Sequence, residues 1–289
     1  MKFTISAPGK IILMGEHAVV YGKPAIVAAI NKRMTVKLVR KNGPPTGGLE
    51  ISANSEIPYG VGMGFSAAQA VLSAASLFLL YQKINKLNNK TKKLINEIAY
   101  EQEKINHGNP SGVDNTVITY GGLLWFKRRV NGPPILKRLK IKNLPPFILI
   151  NTGCSRETTR QMVENVKCQA SNIKTKRQVL GVLSEIEEQT KKFLKALKKK
   201  DEKLLKNSIK ICQRNLEKLG VVSEFGKRII REIEKIGGAA KITGAGGKTF
   251  GSGMLLCYHK NPKKIVELGK KLKLETIKVK LGGEGVTIK

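Results

Sequence analysis

The chain has 289 residues, of which 41% are hydrophobic and 26% charged, and this composition excludes a disordered chain. Its length exceeds the usual size of one domain, about 100 to 200 residues, so we expect two domains, residues 1–150 and 151–289. Lys and Arg total 53 against 21 acidic residues, and the resulting net charge of +32 favours anionic ligands.

The basic charge does not by itself predict a nucleic-acid-binding protein. The lysines are spread along the chain, and the densest run, residues 195–207 (KALKKKDEKLLKN), is typical of the solvated face of a helix. Only 5% of the residues are aromatic, and the chain has neither the basic, aromatic strand of RNA-recognition domains nor zinc-finger spacing. We therefore expect no specific nucleic-acid partner.

The cysteines and the apolar segments indicate the compartment. The four cysteines are far apart in the sequence and form no C-x-x-C pair, which predicts free thiols in a reducing compartment. They are Cys154, Cys168, Cys212 and Cys257. The first residues do not have the pattern of a signal peptide, and no apolar run approaches the ~20 residues that span a bilayer. We expect a cytoplasmic protein without a membrane partner.

The N-terminal segments predict a sheet. Apolar residues alternate over residues 2–17 and again over 24–42, which predicts two or three strands. Turns are expected at Pro8-Gly9 and at residues 22–24, where Gly and Pro interrupt the pattern.

Helices are predicted next. Residues 66–84 are rich in Ala and Leu on all sides, which indicates a buried helix, and a second helix is expected over about residues 89–106. A strand pair is predicted around residues 116–129 (TVITYGGLLWFKRR). Two proline pairs, at 133–134 and 145–146, bracket a basic strand, and we expect the domain boundary near the second pair.

The C-terminal half predicts a mixture of helices and strands. Residues 146–153 have the pattern of a buried strand, and residues 156–220 have helical periodicity. Residues 239–258 predict a strand, a glycine loop and a second strand, a helix opens at 261–262, and strands close the chain over 275–288. The predicted fold class is α+β.

A glycine-rich stretch precedes the first predicted helix. Residues 57–68 (IPYGVGMGFSAA) match neither the P-loop pattern nor the dinucleotide-binding pattern. Glycines before a helix let a ligand approach the backbone, and the first N–H groups of the helix lack partners at the positive end of its dipole. This arrangement favours a bound phosphate, although a flexible turn with Ser66 as a helix cap remains an alternative.

Three further stretches carry reactive side chains. Lys10 follows a Pro-Gly turn, and Glu16 and His17 follow a second glycine. Glu103 and Asp114 lie at the two ends of a segment rich in Gly, Pro and Asn, as an enzyme acting on a Mg-nucleotide requires for its metal and its acceptor. The fourth stretch, 241–253 (KITGAGGKTFGSG), is a second glycine loop, which suggests a ligand held between domains.

Together these stretches resemble the GHMP kinase superfamily, and they look most like its mevalonate kinases. The similarity is carried by residues 7–25 (APGKIILMGEHAVVYGKPA), residues 107–115 (HGNPSGVDN) and the tail 281–288 (LGGEGVTI). The resemblance implies a two-domain fold, with an N-terminal α/β domain that carries the phosphate loop, a ferredoxin-like C-terminal domain, and the active site in the cleft between them. It also implies ATP-dependent phosphorylation of mevalonate to 5-phosphomevalonate, with Mg²⁺ as cofactor.

The resemblance also implies a role for each matching residue. Asp114 would activate the acceptor hydroxyl, and Lys10 would stabilise the transferred phosphoryl group. The metal ligands would be Ser66 and Glu103. The ATP phosphates would contact the glycine-rich loop at Gly60, Gly62, Gly64, Ser66, Ala67 and Ala68. The acceptor would contact Glu16, His17, Arg156, Thr158, Thr159, Gly244, Ala245 and Gly246, with Arg156 facing its carboxylate.

Three departures from the family pattern limit this transfer. Phe65 stands where the family usually has the first of two serines, residues 248–253 (KTFGSG) replace further glycines, and the segment between Met34 and the phosphate loop is short. These changes leave the nucleotide preference open. Alternatives are a related kinase for phosphomevalonate, pantoate, homoserine or a sugar, and a nucleic-acid-binding protein on an inactive kinase scaffold. A homodimer is also left open.

Overall fold

The computed structural model describes residues 2–40, 48–82, 86–129 and 131–289. Within these ranges the strands are β1 Lys2–Met14, β2 Pro24–Arg40, β3 Leu49–Ser55, β4 Leu123–Lys127, β5 Ile135–Arg138, β6 Phe147–Asn151, β7 Ala239–Ile242, β8 Met254–Tyr258, β9 Thr276–Lys278 and β10 Thr287–Ile288. The helices are α1 Phe65–Gln82, α2 Asn89–His107, α3 Val113–Tyr120, α4 Thr159–Ser171, α5 Ile173–Lys199, α6 Glu202–Lys218, α7 Glu224–Lys235 and α8 Lys263–Lys271. A 3₁₀ turn, Ala18–Tyr21, joins β1 to β2.

The first sheet is antiparallel and has β1 and β2 at its centre. Its order is β10-β1-β2-β4-β5, and β3 also pairs with β2. Every residue from Ala7 to Met14 is buried, although successive side chains of a strand point to opposite faces. Both faces of this part of β1 are therefore covered, and helices α1, α3 and α5 contact β1 and β2.

The second sheet is also antiparallel, with the order β7-β8-β6-β9. Helices α6 and α7 pack on β7, and α8 packs on β6 and β9. The last strand, β10, returns to the first sheet, where Ile288 pairs with Ile5 of β1. The predicted α+β class is confirmed, whereas the division of the chain at residue 150 stays a prediction.

The turn predicted at Pro8-Gly9 is wrong. β1 continues through these residues, with a shift of register between Pro8 and Lys10 that marks a β-bulge. A Cβ on Gly9 would lie 3.0 Å from the Met63 carbonyl oxygen, and the next residue donates its N–H to that same oxygen at 2.9 Å. The Pro-Gly pair therefore brings β1 against the glycine-rich loop instead of reversing the chain.

The strand pair predicted around residues 116–129 is half wrong. Its second part is β4, but its first part lies in helix α3, so Asp114 occupies the first turn of a helix rather than a loop. The β-branched residues of this segment favour a strand by local propensity. Tertiary packing overrides that preference, because residues 115–119 are all buried and α3 contacts α1, α2 and β1.

The other helix predictions are confirmed. The helices expected over 66–84 and 89–106 are α1 and α2, and the helical region 156–220 divides into α4, α5 and α6. The predicted ends at residues 41–42 and 83–84 lie outside the described residues. All four cysteines are free, as expected. Among the described helices, none is long and apolar enough to cross a membrane.

Candidate active site

A cleft of about 480 Å³ lies between the two sheets. Its walls come from β1, the glycine-rich loop, the ends of α2 and α3, and two loops of the second sheet. The cleft brings together most of the side chains that the sequence singled out. These are Lys10, His17, Gly60, Gly62, Gly64, Ser66, Ala67, Glu103, Asp114, Arg156, Thr158, Thr159, Gly244, Ala245 and Gly246. Two predicted site residues, Glu16 and Ala68, do not line it.

Lys10 and Asp114 form an ion pair in the cleft. The Lys10 Nζ lies 3.1 Å from Asp114 Oδ2, and the lysine side chain is almost fully buried. Asp114 stands at the start of α3, after Gly112, whose φ of 80° ends the preceding loop. The second oxygen, Asp114 Oδ1, is buried and has no hydrogen-bond partner among the described residues. This oxygen is therefore free to accept a hydrogen bond from a ligand.

Ser66 and Glu103 meet beside this pair. The Ser66 hydroxyl donates to Glu103 Oε1 at 2.6 Å. Burial raises the pKa of the Glu103 carboxyl above its ordinary value, and the hydrogen bond from Ser66 opposes this shift. A hydroxyl and a carboxylate are the hard oxygen ligands that Mg²⁺ prefers, with phosphates and water completing its shell. The two residues fit a metal that arrives with a nucleotide.

His107 is a residue of this site that the sequence analysis missed. Its Nε2 lies 3.3 Å from the Ser66 hydroxyl oxygen and 3.6 Å from Glu103 Oε2. The signal was present, because His107 follows Glu103 by four residues on the same helix and therefore shares its face. Among the described residues, no group of three or more acidic, His or Cys side chains forms a metal site that is complete without a ligand.

The glycine-rich loop needs its glycines for two reasons. Gly60, Gly62 and Gly64 all have φ between 75° and 86°, the left-handed region that side chains disfavour. A Cβ on Gly62 would also lie 2.7 Å from the Thr243 carbonyl oxygen of the second glycine loop. The two loops therefore approach through their backbones, and the first-turn N–H groups of α1 lie at the cleft.

His17 and Glu16 point to different places. His17 Nε2 lies 3.0 Å from the Ala245 carbonyl oxygen, so Nε2 carries the proton. Burial lowers the pKa of His17 to about 4, and the bond to Ala245 only partly opposes this, so the ring is neutral near pH 7. The Glu16 carboxylate is fully buried behind the cleft, where it pairs with Lys241 of β7. The structure therefore does not bring Glu16 to the acceptor side of the cleft.

The segment after β6 supplies the remaining wall. Thr158 is the N-cap of α4, and its hydroxyl accepts from the Gln161 N–H at 3.2 Å. Arg156 lies over the ring of Phe250, with 4.2 Å between its Cζ and the ring centroid. Lys248, whose charge the sequence placed near the phosphates, does not line the cleft.

Comparison with known proteins agrees with this geometry. Residues 27–122 match the GHMP kinases N terminal domain. A mevalonate kinase of Archaeoglobus fulgidus is 32% identical over 272 residues, which cover 84% of this chain and 88% of the relative. One of Schizosaccharomyces pombe is 27% identical, covering 98% and 91%. The crystal structure of L. major mevalonate kinase in complex with R-mevalonate superposes with a TM-score of 0.78 at 24% identity and covers 94% and 95%, which shows the same fold. The chain belongs to the mevalonate kinase family of the GHMP kinases.

Proposed function

We propose that this protein transfers the γ-phosphoryl group of ATP to the 5-hydroxyl of mevalonate and so forms 5-phosphomevalonate. The observation that carries the proposal is the Lys10–Asp114 pair, with Asp114 Oδ1 unpartnered, in the same cleft as the Ser66–Glu103 pair. A phosphoryl transfer needs an oriented acceptor and a place for the charge of the phosphates. The two pairs provide one of each.

Asp114 activates the acceptor hydroxyl in this proposal. Its free oxygen accepts the hydroxyl hydrogen and orients the oxygen towards the phosphorus atom. Lys10 keeps the carboxylate charged and in place, and its ammonium stabilises the negative charge on the phosphoryl group in flight. Burial strengthens both effects because little water competes for these groups.

Ser66 and Glu103 are the proposed ligands of Mg²⁺. When bound, the metal neutralises charge on the phosphates, as in other phosphotransferases. The N–H groups at the start of α1 and the backbone of residues 60–67 bind phosphate oxygens, because the glycines leave no side chain in the way. Ala68 lies outside this contact, since its N–H donates to the Gly64 carbonyl oxygen at 2.9 Å.

The acceptor binds between His17, Arg156, Thr159 and the loop 244–246. Arg156 is suited to the mevalonate carboxylate, because a guanidinium can donate two parallel hydrogen bonds. The hydroxyl of Thr158 already caps α4, which favours Thr159 as the hydroxyl that contacts the acceptor. Glu16 acts from behind this site through its pair with Lys241.

A substrate panel tests the function. ADP release is measured under Mg-ATP with mevalonate, phosphomevalonate, pantoate, homoserine and galactose, and we expect turnover with mevalonate alone. Turnover with another acceptor would favour the related kinases. Absence of turnover together with salt-sensitive binding of nucleic acid would favour the inactive scaffold.

Replacement of Asp114 tests the mechanism. We expect Asp114→Asn to lower kcat by about 10²- to 10⁴-fold, because the amide cannot take up a proton. ATP affinity, measured by calorimetry, stays within about twofold because the phosphate loop is untouched. Asp201→Asn is the matched control, since Asp201 caps α6 and Asn caps equally well. A kcat near that of the wild type in Asp114→Asn would refute the mechanism.

A further inference from the structure

Phe250 has an unusual backbone and an unusual exposure. Its φ is 58°, in the left-handed region that a bulky side chain disfavours, and 62% of the residue is exposed. An exposed ring recovers little hydrophobic free energy, and Gly would adopt this backbone without strain. Stability of the loop therefore does not account for a phenylalanine at this position. It lies in the segment 248–253, where the chain departs from the glycines of its family.

The ring of Phe250 covers one face of the Arg156 guanidinium. The Arg156 Cζ lies 4.2 Å from the ring centroid, within the range of a cation–π contact. Because a guanidinium is planar, stacking on its face leaves the N–H donors at its edge available. In the described ranges, no hydrogen bond or ion pair of Arg156 to another residue is seen, and Arg156 lines the cleft.

The neighbouring carboxylate does not take up these donors. Glu157 accepts from the Lys248 N–H at 3.1 Å, the Thr249 N–H at 3.3 Å and the Thr249 hydroxyl at 3.0 Å. It also accepts from the Ser155 hydroxyl. Partial burial alone would raise the pKa of Glu157, but these hydrogen bonds outweigh it and lower the pKa to about 2. The carboxylate is thus occupied in anchoring the segment that carries Phe250.

The backbone adds a second anchor. Ser155 and Phe250 form an antiparallel β-bridge directly before Arg156. The bridge and the Glu157 contacts together tie residues 248–250 to residues 155–157, so that the ring and the guanidinium are held face to face. The side chain that remains without an acceptor is the one at the cleft.

We propose that Phe250 is a positioning residue for acceptor specificity, which holds the Arg156 guanidinium at the cleft with its edge donors ready for the carboxylate of the acceptor. This inference rests on the proposed function. A preorganised guanidinium loses less rotamer freedom when the acceptor binds, so the stack favours acceptors that carry a carboxylate. ATP binding and the chemical step involve other groups and do not depend on it.

Steady-state kinetics of Phe250→Ala test the inference. We expect the KM for mevalonate to rise about two- to fivefold, the size of one exposed cation–π contact, while kcat and the KM for ATP stay unchanged. Phe250→Trp retains the ring and keeps the wild-type KM. The matched control is Phe225→Ala, because Phe225 lies under Arg228 in a similar stack, at 5.4 Å, on α7. This control leaves all three kinetic constants unchanged.

A double-mutant cycle separates positioning from a general effect on the loop. In an Arg156→Ala background, which itself raises the KM for mevalonate, adding Phe250→Ala has no further effect if the ring acts through the guanidinium. An equal effect in both backgrounds, or an unchanged KM in Phe250→Ala, would overturn the inference. Absence of mevalonate turnover by the wild-type protein would refute the proposed function and the inference with it. Turnover with an unchanged KM in Phe250→Ala would refute the inference alone.

Discussion

Removal of the Lys241 ammonium is expected to destabilise the protein strongly. Lys241 and Glu16 are both fully buried and form an ion pair that joins β7 of the second sheet to the turn after β1 of the first. Lys241→Met keeps a side chain of similar length but leaves the Glu16 carboxylate without its counter-ion. Glu16 Oε2 already has no partner among the described residues, so the chain offers nothing to replace the lost charge.

The magnitude follows from the cost of a buried, uncompensated charge. Breaking a buried ion pair from one side costs about 3–5 kcal/mol of unfolding free energy. Lys241 also donates to the Ile242 carbonyl oxygen at 2.7 Å, and this oxygen loses its donor as well. In Glu16→Gln/Lys241→Met both charges are gone, and we expect the deficit to shrink to about 1–2 kcal/mol, because neutral groups can replace such a pair.

The variants differ in their pH dependence. Burial raises the pKa of Glu16, and Lys241 opposes this in the wild type. Without Lys241 the folded state holds a proton on Glu16 above the pH at which the unfolded chain releases it. The single variant therefore gains stability as the pH falls towards the ordinary carboxyl range and loses it as the pH rises. Its deficit relative to the wild type is smaller at pH 5 than at pH 8.

The assay is urea unfolding followed by circular dichroism at both pH values. Arg214→Met is the control, because Arg214 pairs with Glu234 at 2.5 Å but is a third exposed, so its loss costs less than about 1 kcal/mol. A deficit of less than 1 kcal/mol in Lys241→Met, or a double variant no more stable than the single one, would refute the reasoning.

Two further predictions concern the cleft. His17→Asn removes a group whose pKa falls from 6.5 in the unfolded chain to about 4 in the folded state; it flattens the loss of stability between pH 6.5 and 4 by about 3 kcal/mol in pH-dependent melts, and an unchanged pH profile would contradict this. Gly64→Ala places a Cβ 2.7 Å from the Lys10 Cγ at a φ of 83°; displacement of Lys10 lowers kcat by about a hundredfold. Gly132→Ala, with a φ of 90° but no atom within 4 Å, keeps wild-type kcat, and equal kcat values in the two variants would exclude displacement.

Much of the candidate site could be predicted because its residues occur in short, local patterns. The glycine spacing before α1 indicated a phosphate loop, since it needs only the conformational freedom of glycine and the start of a helix. Glu103 and Asp114 were found from the loop between them. His107 was missed although it lies one helical turn from Glu103, because a single histidine does not by itself distinguish a ligand from a structural residue.

The errors in the fold arose where local preference and tertiary packing disagree. The β-branched residues of α3 favour a strand in isolation, and their burial between two helices and β1 stabilises a helix instead. Pro8 and Gly9 have the composition of a turn, yet contact with Met63 makes them a bulge within β1. Neither contact is visible in the local sequence.

The sequence by itself determined the class of fold, the two glycine loops and the reactive side chains of the cleft, because each depends on residues close together in the chain. The tertiary structure alone decided which partner each charged side chain meets. Glu16 lies next to His17 in the sequence, but it turns away from the cleft to a lysine 225 positions further on. Arg156 adjoins Glu157, but it stacks on Phe250 while Glu157 binds the loop beside it. A charge in a buried or crowded place takes whichever partner folding brings within reach, and only the packed chain determines that partner.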